Sequence, residues 1–98
     1  MQFEQFKSSL AGAAPPAAAS LPLQALWWVA KGDWHRAHRC CQDANDAHGA
    51  WAHAHLHRVE GDERNAAGWY KRAGKTPSLA ALNEEWDEIA RRTRAVRG

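Results

Sequence analysis

Six histidines crowd one stretch of this 98-residue chain: His35, His38, His48, His53, His55 and His57. Imidazole is the commonest side-chain ligand for transition metals and changes charge near neutral pH. His53 and His57 are four residues apart, so on a helix their rings share a face, which Glu60 continues. Two histidines at this spacing can bind a divalent transition metal such as zinc, with Cys41, His38 or Glu60 as a third ligand. The residue after His53 is Ala54, so the general-base glutamate of an HExxH helix is missing, and the spacing matches no standard zinc motif. Two other uses remain open for the same pair. They can form a pocket for a small ligand, or they can be half-buried polar residues bonded to a backbone carbonyl, Tyr70 or a carboxylate. His48, Trp51, His55 and Arg58 fall on a different face, combining an aromatic platform, titratable donors and a fixed positive charge. That combination suits an extended peptide or an acidic group, since Arg pairs well with a carboxylate.

The remaining reactive residues suggest less. Cys40 and Cys41 are adjacent, and one peptide link holds them too close for an unstrained disulfide. Free thiols are expected, with Cys41 at a core position and no activating partner chosen by its spacing. There is no glycine-rich phosphate loop, nucleophile elbow or paired-acid signature, so the expectation is a non-enzymatic protein with no cofactor, or with a metal in the histidine reading. Arg91, Arg92, Arg94 and Arg97 cluster late, but Glu84, Glu85, Asp87 and Glu88 precede them and the net charge is only +2. That balance argues against nucleic acid. The acid-then-base order instead suits the dipole of a helix.

These residues need helices to position them. The apolar positions follow a helical period, with little strand alternation, so the expected class is all-α. Gly32-Asp33 and Gly61-Asp62 read as tight turns, in which Gly ends one helix and Asp caps the next. Helices are expected over 22–31, 34–44, 50–60 and 63–74. Residues 1–10 carry Phe3, Phe6, Lys7 and Leu10 and predict a short amphipathic helix. Residues 11–20 are Ala/Pro-rich, with Pro15-Pro16, and read as a linker. Residues 78–98 form a capping helix with Leu79, Leu82, Trp86, Ile89, Ala90 and Val96 as its stripe. Most of the six tryptophans are assigned to core and inter-helix packing. The start lacks a signal-peptide pattern and no segment is long and apolar enough to span a membrane, so the expected location is cytoplasmic.

Residues 21–77 contain two units at an offset of 29 residues, Gly32 to Gly61. The first offers Ala25, Gly32-Asp33-Trp34, Ala37, Cys41 and Ala44; the second Ala54, Gly61-Asp62, Ala66, Tyr70, Ala73 and Pro77. This order resembles the tetratricopeptide repeat, whose unit is about 34 residues. Glu63 and Cys41 stand where that family has aromatics. The segment Gly68-Trp69-Tyr70-Lys71-Arg72-Ala73-Gly74 also resembles related short α/α repeats of small bacterial proteins. The resemblance implies two tandem helix-turn-helix repeats with flanking helices, acting as a protein- or peptide-binding module. It places His48, Trp51, His55 and Arg58 in the concave groove and points His53 and His57 at helix B. Two repeats fall short of the three or so that a solenoid needs. The flanking helices must therefore cover the ends, or a homodimer must do so through Phe3, Phe6 and Leu10.

Overall fold

Two tight turns set the architecture. Gly32 and Gly61 have positive φ, 80° and 86°, a region that costs an L side chain energy. In the first turn Asp33 N donates to Trp28 O, and in the second Asp62 N donates to His57 O, each at 2.9 Å. Each aspartate then accepts from the third amide ahead, Arg36 N and Asn65 N, both at 3.1 Å. Gly-Asp therefore closes one helix and opens the next within two residues, so the two helices must lie side by side.

The computed structural model describes residues 1–93. Its helices are α1 (Phe3–Ser8), α2 (Leu21–Ala30), α3 (Trp34–Asp43), α4 (Ala47–Val59), α5 (Glu63–Ala73) and α6 (Leu82–Arg92), with a 3₁₀ turn at Ser9–Ala11. The class is all-α, with no strand among the described residues. Arg94, Val96 and Arg97, assigned above to the cap, lie outside the described residues. No helix is long and apolar enough to cross a membrane among the described residues.

Helices α2 and α3 pack as one pair and α4 and α5 as another, while α4 also touches α2, α3 and α6. Helix α4 is thus central, and every residue from Trp51 to His57 is buried. The matched alanines do what small residues at helix crossings do: Ala25, Ala37, Ala54 and Ala66 are each no more than 1% exposed. Helix α4 starts at Ala47, three residues before the expected start, because the Asp46 side chain accepts from Gly49 N at 2.7 Å. At Gly49 an added Cβ would lie 2.5 Å from the Ala44 Cβ, so glycine lets the α3–α4 connection pass close to α4.

One end of the chain departs from expectation and the other takes one of its two expected arrangements. The capping helix begins at Leu82 rather than near residue 78. Ser78 Oγ accepts from Ala80 N at 3.1 Å, a local bond that competes with helix formation. The N-terminal helix, which also had a homodimer contact among its expected uses, packs on its own chain. Phe6 is buried and stacks on Trp86 at 5.7 Å, and Lys7 pairs with Asp87 at 3.3 Å. The segment 11–20 is also tied down: Lys31 Nζ donates to Leu10 O and Gly12 O, and Gln24 Nε2 to the carbonyl of buried Ala19.

Candidate functional site

His38 on α3 meets His53 and His57 on α4 where the two helices cross. One ligand atom from each ring lies within 4.8 Å of the other two. Contacts between α3 and α4 bring the three rings together. Trp34 is the first residue of α3, and its Nε1 donates to Leu56 O at 3.3 Å, pinning α3 against α4. His38 lies one turn later and stacks on Trp34 at 4.8 Å, which aims it at the 53/57 face. His53 and His57 stack at 4.9 Å, as their spacing predicts. Helix α5 closes the arrangement with Trp69, which lies flat on His53 at 3.7 Å.

Each ring is in a different electrostatic position. Burial pulls His53 down to about 4, with His57, His38 and Arg72 adding positive charge nearby. His53 is therefore neutral at pH 7. Neither of its ring nitrogens has a hydrogen-bond partner among the described residues, and both are buried. Burial also lowers His38, reinforced by His57. His57 Nδ1 lies 2.6 Å from a Glu60 carboxylate oxygen, a contact in which Nδ1 must donate, so a metal at His57 would be bound through Nε2. A carboxylate behind a histidine in this way fixes the ring and strengthens it as a ligand.

A tetrahedral zinc with bonds of about 2.0–2.1 Å would hold its nitrogens roughly 3.4 Å apart, so the three rings need to close by about 1.4 Å or less. Of the expected third ligands, His38 joins the pair directly. Glu60 stands behind His57; with His57 and Asp62 it also forms a second, more exposed cluster. Cys41 lines the same pocket but lies outside the histidine cluster, and burial pushes its thiol up to about 12. The pocket is open, about 960 Å³, with Trp34, Asn65, Trp69 and Arg72 among its walls.

The opposite face of α4 is not an open groove. His55 is 1% exposed and its Nδ1 lies 2.7 Å from Glu85 of α6. Arg58 donates to the same carboxylate at 2.8 Å and to Ala80 O at 2.9 Å, and Tyr70 donates to its other oxygen. His48 Nδ1 lies 3.1 Å from Thr93 Oγ1, and Lys75 covers the Trp51 ring at 4.4 Å. All four groove residues are thus engaged by their own chain. Burial alone would raise the Glu85 carboxyl, but the bonds from His55, Tyr70 and Arg58 outweigh it and hold it below the usual carboxylate range.

No protein-family model, curated protein or solved structure matches the chain. The tetratricopeptide resemblance rests on its motif residues, and the site must be argued from its geometry.

Three participants were not legible as such in the sequence. In the sequence, Glu85 groups with Glu84, Asp87 and Glu88 as the acidic start of the capping helix. Its spacing from Leu82 and Ile89, three before and four after, places it on the helix's apolar stripe, and an acid there needs buried partners. Trp69 and Arg72 gave no signal beyond their place in the second unit.

Proposed function

We propose that this chain is a non-enzymatic metal-binding helical protein that holds a divalent transition metal, zinc foremost, with His38, His53 and His57. The observation that carries the reading is His53. Burying an imidazole with both nitrogens unbonded costs stability, about 1–3 kcal/mol for an unsatisfied polar group. A metal bond to one nitrogen would offset that cost. Nitrogen donors of this kind suit zinc, copper and nickel, and the absence of a thiolate from the cluster disfavours a soft sulfur-ligated site. Three protein ligands leave one coordination position open.

The test is native mass spectrometry of untagged protein before and after chelator, followed by titration with zinc. One metal per chain is expected, removed by chelator and lost in His53→Ala with His57→Ala. His35→Ala, outside the cluster, should retain it. A wild-type chain that takes up no stoichiometric metal would overturn the reading.

A second reading keeps one supporting observation. The His55/Arg58 face captures a helix-borne carboxylate, Glu85. A partner segment carrying an acidic residue on an amphipathic helix would fit the same contacts once α6 moved away. An acidic-helix peptide that binds wild type but not Arg58→Ala supports this reading; no binding even to a chain truncated before Leu82 rejects it.

A further inference from the structure

Arg72 is the one arginine or lysine lining the pocket among the described residues, and it pairs with no carboxylate among them. Its guanidinium lies 4.6 Å above the Trp69 ring, and Trp69 in turn lies on His53. Cation–ring contact orients a guanidinium but satisfies none of its five N–H donors. The acids in the same pocket are otherwise engaged: Glu60 accepts from His57, and Asp46 caps α4. The histidines approach the centre from α3 and α4, and Arg72 and Asn65 come from α5. A metal held by three neutral imidazoles would keep its full double positive charge and an open position.

We propose that the open position takes the carboxylate of a small organic acid, with Arg72 gripping the same carboxylate. This rests on the metal reading above. Arg recognises carboxylates through paired, charge-assisted hydrogen bonds, and its planar fork favours the planar carboxylate over a tetrahedral anion. Trp34 and Trp69 supply aromatic walls for an apolar body, and a pocket of about 960 Å³ admits a ligand of that size. Without the metal, Arg72 alone gives a weak, salt-sensitive contact, so acid binding should depend on metal.

The experiment uses the full chain loaded with Co(II), whose visible absorption reports its coordination. Benzoate, acetate and inorganic phosphate are titrated in turn. Benzoate is expected to shift the cobalt bands saturably and to bind more tightly than acetate. Arg72→Ala should keep one cobalt per chain but bind benzoate at least about tenfold more weakly, as loss of a charged hydrogen-bond donor predicts. Arg72 is exposed, so its removal leaves the fold intact, and circular dichroism checks that. A cobalt spectrum unmoved by benzoate overturns this inference while leaving the metal centre standing. So does equal benzoate affinity in Arg72→Ala, or phosphate binding as tightly as benzoate. Failure to take up cobalt at all overturns both readings together.

Discussion

Replacing His53 with phenylalanine should make the metal-free protein more stable. His53 is 3% exposed, and neither nitrogen is hydrogen-bonded. An aromatic ring of similar shape keeps the stack on Trp69 and removes the uncompensated polar atoms; the open pocket beside it accepts the larger ring. Relief of an unsatisfied buried group is worth about 1–3 kcal/mol. The substitution also has a pH signature. The folded state holds His53 at about 4, against 6.5 for the free side chain. Between those values the unfolded chain binds more protons than the folded one, so wild-type stability falls as pH drops from 6.5 towards 4. The depression amounts to roughly 3 kcal/mol over that window. His53→Phe lacks this contribution, so the difference between variant and wild type should widen as the solution is acidified. Urea melts in chelator at pH 7, 6 and 5 measure it. A variant less stable than wild type at pH 7 by more than about 1 kcal/mol, or parallel pH slopes for the two proteins, would refute the reasoning. Added zinc should reverse the ranking, because only wild type gains metal-linked stability.

Three further outcomes follow from the packing. Ala37→Leu and Ala66→Leu should each cost about 1–3 kcal/mol by overpacking, read as lower urea midpoints; unchanged midpoints would mean the helices do not meet there. Glu85→Ala strips His55, Arg58 and Tyr70 of their common acceptor and should cost about 3–5 kcal/mol. Early proteolysis near α6 should accompany it, and a protease pattern like wild type would contradict the contacts. Burial raises the Cys40 thiol and raises Cys41 to about 12, so thiol titration with an aromatic disulfide at pH 7 should leave Cys41 unreacted until the chain unfolds. Fast labelling of Cys41 in the native protein would reject a buried thiol.

The turns and helix pairs were legible because their causes are local. Gly32-Asp33 and Gly61-Asp62 carry their own capping chemistry, and Ala37 and Ala66 mark crossings by size alone. Asp46 was legible in principle, as a capping residue three before Gly49, but the turn after α3 hid it. The His53/His57 pair was visible from its spacing, and His38 was one of three named candidates for joining it. The choice of His38 was out of reach because it depends on how α3 rotates on α4, which the Trp34–Leu56 bond settles. The contacts that His55 and Arg58 make within the chain were out of reach for a related reason. Repeat register says which face a residue occupies but not what lies on that face, and Glu85 lies 30 residues from His55 along the chain.

The contact between α1 and α6 also bears on the order of folding. The helices within each pair are joined by three-residue connections, 31–33 and 60–62, so their closure entropy is small and they can form early. Lys7 and Asp87 are 80 residues apart, so the layer that includes Phe6 and Trp86 carries a much larger loop-closure cost. That layer should assemble last and open first, by a transition smaller than global unfolding. Native-state hydrogen exchange should then show α1 and α6 amides exchanging together ahead of α4 and α5. Such an opening would uncover His55 and Arg58 while leaving His38, His53 and His57 in place between α3 and α4. The central helix would then bare its His55/Arg58 face intermittently, while its His53/His57 face keeps its packing against α3 and α5 until the whole chain unfolds.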